Sequence, residues 1–386
     1  MVDERAERLA ELLSVEANQA EQDRRLSDAV MAAAAESGLF SMAVPTAFGG
    51  EGAGLRELVD TTRVLATGCP ASAWTLSFLY LHNWLLTRFS DELQAEVFAP
   101  RGYGLVPAPL APTGQLRRVD GGWELSGRWE WATGVNHADW VMVNAIEVRD
   151  DALALRFAVL PIGDVEVEDV WFTSGMCATG SNTVRVDGVF VPDHRTLPAE
   201  DLLEGRPPVD GDEMASMPVM AVLALVASAP ALGAAQSAVD LYGDRVRERV
   251  LAYTLGDKAV DQPAAQMRLG DALAQVRAAA ALHDGAVTML LDAVHAEGLP
   301  DRAGPTVDLR MAVRLAAADT VRRSNEVISY VCAGAGASVY QRTHPLQRLQ
   351  RDVEVLKGHV IFDWDRTTEL AGRIELGLPM RPADRI

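Results

Sequence analysis

Cysteine is scarce in this chain, and basic residues are outnumbered by acidic ones. Only Cys69, Cys177 and Cys332 occur in 386 residues, too few and too widely spaced for a disulfide framework or a thiolate metal site. A reducing cytoplasm is the expected setting, and no metal is expected. Asp and Glu total 54 against 35 Lys and Arg, a formal net charge of −19. That balance excludes the basic footprint needed by a nucleic acid or an anionic membrane, so neither is expected as a partner. The chain also lacks a nucleotide fingerprint: no GxGxxG follows a strand, and no Walker lysine follows its glycines. Its first residues, MVDERAERLAELL, lack the basic-then-apolar order of a secretory leader. One long uncharged run exists, Met214 to Val239. Pro218 and Pro230 interrupt it and alanine dominates it, so a buried bundle helix is expected rather than a membrane span.

What is present is ordinary globular composition, 49% hydrophobic and 23% charged, over a length that requires two or three packed units. Residues 1–99 read as helices. Ala10, Leu12, Leu13 and Val15 begin an amphipathic run, and Ser27 is placed to cap a second helix ending near Gly38. Two more helices are expected around 55–67 and 71–87, after a glycine-rich turn, VPTAFGGEGAG (44–54). From 100 to 208 the texture changes. VDGGWELSGRWEWA alternates with period two around a Gly-Gly turn, and ADWVMVNAIEV, ALRFAVLPI and NTVRVDGVFVP are further β-branched runs. From 209 to 386, Ala/Leu/Val-rich segments near 215–255, 262–297, 305–337 and 345–371 form the pattern of an up-down four-helix bundle.

The last segment, from His344 to Gly372, reads as a single helix with Pro345 in its first turn. At helical spacing Arg348, Asp352, Val355 and His359 share one stripe, beside Arg351 and Leu356. Two readings stand on the residues alone. Either Arg351 and Asp352 form a structural ion pair beside a solvated His359, or the stripe carries a histidine able to move protons near neutral pH.

Five segments, LFSMAVPTAFGGEG (39–52), CPASAWTLSFLYLH (69–82), LSGRWEWATGVNHADWVMV (125–143), WFTSGMCATGSNTVRVDGVFVP (171–192) and HPLQRLQRDVEVLKGH (344–359), together resemble the acyl-CoA dehydrogenase fold. Within it they resemble the group D oxygenase components of two-component flavin-dependent monooxygenases. The resemblance spans essentially the whole chain. It implies an α+β protein with an N-terminal helical domain (1–99), a central β-barrel or sandwich (100–208) and a C-terminal four-helix bundle (209–386), assembled as a homotetramer.

The resemblance also implies a site. Trp131 matches the family's tryptophan against the isoalloxazine ring, and Thr133 the hydroxyl at its N5/O4 edge. Period two puts Trp129 and Trp131 on one face, so the competing reading makes both core residues. Thr179, Ser181 and Asn182 match a small-residue loop beside the flavin, where glycine lets the backbone approach closely. Cys177 departs from the arginine usual there. Lys357-Gly358-His359-Val360 stands where many dehydrogenases carry a catalytic Glu-Gly, which is the oxygenase pattern. His359 and Thr133 are thus the expected catalytic residues. His359 would deprotonate a phenol-like or amine substrate or manage a peroxide proton, with Asp352 or Asp363 setting its tautomer. His82 is either a substrate-pocket residue or a satisfied core histidine, and His137 is expected to be structural. Arg249, Gln266, Arg348 and Arg351 are candidates for the flavin phosphate, which suits the paired donors of a guanidinium.

The implied cofactor is reduced flavin, FMNH2 before FADH2, brought by a separate NAD(P)H-dependent reductase. Oxygen would add at the flavin C4a and one atom would pass to a small, phenolic substrate. Oxygenation of an amine is the alternative, with acyl-CoA dehydrogenation behind it.

Overall fold

The computed structural model describes residues 4–148, 154–204, 213–295, 305–381, 384 and 386. In the N-terminal third, α1 (Glu4–Asp23) buries Leu9, Leu13 and Ala17 along one stripe. The Ser27 hydroxyl accepts the Val30 N–H and so starts α2 (Asp28–Glu36), as its position foretold. Next come α3 (Leu55–Gly68) and α4 (Pro70–Leu86), then α5 (Asp91–Phe98), a helix the sequence reading lacked, capped by Ser90. All of α4 except Phe78 is buried, so this helix is wall on every side.

The alternating region is a sheet. Its strands are β1 (Pro112–Val119), β2 (Gly122–Ala132), β3 (Trp140–Glu147), β4 (Ala154–Pro161), β5 (Glu166–Glu168), β6 (Asn182–Pro192) and β7 (Thr196–Pro198). They hydrogen-bond in the order β5-β6-β2-β1-β3-β4-β7. The Gly-Gly signal makes the β1–β2 hairpin, with Val119 opposite Gly122 and Gly121 at a φ of 72°. Among the described strands only β1 and β3 pair in parallel. Val141, Val143 and Ala145 point into the sheet's own core with Ala158, Leu160, Val184 and Val186. Met142, Phe157 and Val159, on the other face, join the helical core. Because β4 and β6, far apart in the strand order, share one core, the mixed sheet curls over itself, with β5 and β7 as its edges.

After α6 (Ala199–Leu203) come the long helices α7 (Val219–Glu248), α8 (Pro263–His295) and α9 (Val307–Ala335). The apolar run is part of α7, and 89% of its most apolar window is buried inside the protein, as a bundle core helix should be. The single helix expected after His344 is instead two, α10 (Pro345–Leu356) and α11 (Trp364–Glu375). Helix α10 stops just before Gly358, and the Asp363 carboxylate accepts the Arg366 N–H at 3.0 Å to start α11. Both are ordinary stop and start signals. His359 therefore lies in a turn, not on a helix stripe.

Helices α3 and α7 meet at Gly233, where a Cβ would lie 2.3 Å from the Arg63 carbonyl oxygen and 2.8 Å from Ala66 Cβ. Overpacking such a contact costs about 1–3 kcal/mol. The Gly233→Ala variant is expected to melt several degrees below the parent in a thermal scan; an equal midpoint would show that the two helices are not in this contact.

Candidate active site

Strand β2 loses its register between Trp129 and Ala132, and that bulge creates the first element of the site. Trp129 remains in the core, fully buried, with its indole N–H donating to the Asn144 carbonyl at 2.7 Å. Trp131 has a φ of 65° and is 61% exposed. The two tryptophans do not share a face, because the bulge re-aims the second one. A bulky residue in the left-handed region is strained, and such strain collects at functional sites.

The residues just after the bulge are fastened to a second loop. Gly134 N–H donates to the Thr179 carbonyl at 2.9 Å, and Thr133 Oγ1 lies 2.8 Å from Ser181 Oγ, which lies 2.7 Å from Thr179 Oγ1. Thr179 and Ser181 are buried behind the half-buried Thr133. Asn182 serves otherwise than expected. Its Oδ1 accepts the N–H groups of Val170 and Trp171, both at 3.0 Å, so it pins the preceding segment and does not face the site. Cys177 donates its thiol to the Thr173 carbonyl at 3.1 Å, and burial raises its pKa. Arg24 and Arg351 lie within electrostatic reach of it, but each is paired, with Asp169 and Glu21, and Asp352 and Glu21 also act on the thiol.

Helix α4 supplies the facing wall. Trp74, Phe78 and His82 recur every four residues and so share one side. The ring centroids of Trp74 and Phe78 are 4.8 Å apart and those of Phe78 and His82 5.3 Å. His359 meets Trp74 edge-on at 5.5 Å, and Phe362 lies 5.9 Å beyond it. Trp74 Nε1 also donates to Thr133 Oγ1 at 3.4 Å. One residue thus touches both expected catalytic groups, although the sequence reading passed it over; its four-residue spacing to Phe78 and His82 was the available signal.

The two histidines are opposite tautomers. His82 Nδ1–H donates to the Val106 carbonyl at 2.6 Å, which leaves Nε2 as an acceptor. Burial lowers its pKa to about 4, so it is neutral at pH 7. His359 Nδ1 instead accepts the Ile361 N–H at 3.3 Å, so its proton is on Nε2. The ring is open to solvent at one side but otherwise enclosed by protein, and that enclosure with the nearby Arg314 charge lowers its pKa. Neither expected aspartate sets this tautomer. Asp363 caps α11, and Asp352 Oδ1 accepts the Met176 N–H at 2.6 Å.

The arginines divide. Arg348 is buried and donates to Asn18, while Arg351 pairs with Glu21 at 2.8 Å. Both hold α10 against α1, so neither is free for a phosphate, and the Arg351–Asp352 ion pair is not formed. Arg249 lines a separate cavity of about 280 Å³ with Tyr242, Arg245, Gln262, Arg268 and Gly334. Among the described residues no carboxylate lines it, and burial and Arg249 lower the pKa of Arg245. Gln266 lies outside that lining, with its amide donating to the Val260 carbonyl at 2.8 Å. None of these residues reaches Trp131, Thr133 or His359. An exposed flat indole with a hydroxyl at its side, between loops turning on Gly134 and Gly180, fits a planar ring with a polar edge.

Two family models match the chain: "Acyl-CoA dehydrogenase, N-terminal domain" over residues 1–102 and "Acyl-CoA dehydrogenase, C-terminal domain" over residues 225–364. The chain is 32% identical to a pigment production hydroxylase of a Rhodococcus species, over 95% of this chain and 92% of that one. It is 30% identical to the oxygenase component of an FADH2-dependent resorcinol hydroxylase of a Rhizobium species, over 96% and 92%. Among solved structures, XiaF of a Streptomyces species, in complex with FADH2 and glycerol, superposes with a TM-score of 0.91 at 27% identity, covering 99% of this chain and 96% of that one.

The Asp352 carboxyl that holds Met176 is itself out of balance. It is buried, its pKa is raised by that burial from 3.8 to about 6, and its Oδ2 has no partner. The folded protein thus keeps this proton to a higher pH than the unfolded chain. This group therefore makes folding less favourable as pH climbs from about 4 to about 6, and the cost is constant above that. Asp352→Asn keeps an acceptor for Met176 and removes the titration. Its stability relative to the parent is expected to rise across that window in urea melts, by roughly 3 kcal/mol at most, whereas Asp352→Ala, which lacks the acceptor for Met176, shows the same rise from a lower starting stability. A difference independent of pH would refute the assignment.

Proposed function

The chain belongs to the acyl-CoA dehydrogenase family, among its flavin-dependent monooxygenases, and from that membership we propose that it hydroxylates a small planar phenol. It does so as the oxygenase component of a two-component system, with reduced flavin made by a separate reductase. The observation that carries the phenol is the fixed tautomer of His82 at the end of the Phe78–Trp74 wall.

When bound, reduced flavin would supply the two electrons that activate O2, one atom of which passes to the substrate while the other leaves as water. Trp131 would hold its ring and Thr133 its polar edge. The aromatic side chains of α4 exclude water and lie against a planar substrate. His82 Nε2 accepts the phenol O–H and draws the proton as charge develops on the ring. With a pKa of about 4 it does not take that proton beforehand; it orients the substrate. His359 Nε2–H is a donor, and its task is to give a hydrogen bond to oxygen on the flavin side. That division replaces the expectation that His359 deprotonates the phenol. The aromatic wall and its two histidines include no carboxylate to hold an ammonium, which favours a phenol over an amine, and no carboxylate base for an acyl-CoA α-proton.

FADH2 is preferred here to the FMNH2 first expected. The resorcinol hydroxylase at 30% identity and the XiaF complex at 27% name FADH2, while the neighbour whose title names FMN is only 20% identical, and the arginine cavity of α7–α9 offers charge for a further phosphate. Tyr253, Leu255 and Met267 are strongly exposed near that cavity's loop, which supports self-association into a homotetramer. Three buried free cysteines suit a reducing cytoplasm.

The test supplies chemically reduced FAD or FMN and oxygen with a panel of mono- and dihydroxybenzenes, and measures hydroxylated product against hydrogen peroxide. Tight product formation with a phenol is expected, and turnover of amines but of no phenol would sink the reading. His82→Ala should lower product about 10²-fold while oxygen uptake continues as peroxide. His359→Ala should lower product as well, and equal coupling in either variant would remove that residue from its role.

A further inference from the structure

Thr133 has one hydroxyl proton and two lone pairs to place. An indole N–H only donates, so Trp74 takes one lone pair, at 3.4 Å. Ser181 Oγ, at 2.8 Å, takes either the second lone pair or the proton. Its own second neighbour is Thr179 Oγ1, at 2.7 Å. Thr179 and Ser181 are 2% and 3% exposed, and among the described residues the Thr179 hydroxyl meets no other partner. The Thr179 proton is therefore satisfied only when it points at Ser181. Reversing the chain, so that Ser181 donates to Thr179, would leave a buried O–H without an acceptor and incur its full desolvation penalty.

We propose that Thr179 and Ser181 are positioning residues that polarise this relay in one direction. Thr179 donates to Ser181, Ser181 donates to Thr133, and Thr133, with both lone pairs filled, offers only its O–H to the flavin edge. This rests on the reading of Trp131 and Thr133 as the flavin-holding surface. The consequence is selectivity by hydrogen-bond type. The O–H takes a ring carbonyl oxygen or an unprotonated ring nitrogen; in reduced flavin, whose N5–H must donate, the C4 carbonyl oxygen is the acceptor left to it.

The test binds oxidised FAD, whose N5 and C4 carbonyl only accept, to the protein and four variants. Flavin affinity, the ¹⁵N shift of labelled N5 and the C4 carbonyl stretching frequency are read. Thr133→Val should abolish the hydrogen-bond shift in N5 or the carbonyl. Thr179→Val and Ser181→Ala, whose hydroxyls are buried behind Thr133, should each reduce the same shift and weaken oxidised-FAD binding about twofold to tenfold. They should weaken FADH2 binding less. Thr179→Ser, which restores the terminal hydroxyl, should restore the parent signature. A purely structural role would change both affinities alike and leave the N5 and carbonyl signals in place, and that result overturns the relay. Parent-like spectra in Thr179→Val and Ser181→Ala, with a changed spectrum in Thr133→Val, also overturn the relay while leaving the flavin edge at Thr133. An unchanged spectrum in Thr133→Val rejects the flavin-edge reading itself.

Discussion

One buried bond joins the helical bundle to the sheet: the Asp352 carboxylate on α10 accepting the Met176 N–H. Gly175 permits it, since a Cβ there would lie 2.1 Å from the Arg351 carbonyl oxygen. Through this contact the loop bearing Thr179 and Ser181 is set against α10, and through Ser181 the position of Thr133 follows. A carboxylate with one oxygen unpaired in a dry place is a costly fastener. It is retained where two domains have to agree on the position of a hydroxyl to within a hydrogen bond.

Helix α4 performs the complementary task. It is buried almost throughout, so its side chains hold fixed rotamers on rigid backbone. Gly134 comes close enough that a Cβ would lie 3.1 Å from the Thr75 methyl, which presses the post-bulge turn onto the helix. Trp74 then spans the distance between Thr133 and His359. The break after α10 matters for the same reason: in the turn, His359 takes a backbone N–H on Nδ1 and faces the Trp74 indole.

Burial keeps His82 neutral, and enclosure together with the Arg314 charge does so for His359. His82 lies in apolar surroundings, and desolvation is the largest cause of its lowered pKa. A neutral imidazole has one donor and one acceptor, so the backbone group that takes one nitrogen decides what the other can do. Val106 makes His82 an acceptor and Ile361 makes His359 a donor. The chemistry assigned to each residue follows from two backbone contacts.

Composition, caps and periodicity determined much of this protein. The helix–sheet–helix order, the Ser27 cap, the Gly-Gly hairpin and the buried α7 are consequences of local preference and of burying apolar surface, which act over a few residues and are legible in them. The motifs carrying Thr133 and His359 lie in segments that the fold brings together across Trp74. The separation of Trp129 from Trp131 was not legible, because a bulge is decided by the β6 strand alongside and breaks the period that sequence reading assumes. Nor were the partners of Arg348, Arg351, Asp352 and Asn182. Each could bond locally or far away, and residues distant in the chain, Asn18, Glu21, Met176 and Val170 among them, decided the outcome once packing had brought them near. The break after Leu356 was written in Gly358 and Asp363, but a continuous amphipathic stripe outweighed it in the reading. Tautomers belong wholly to the tertiary structure, since a histidine's free nitrogen is chosen by whichever backbone group the fold places against the other.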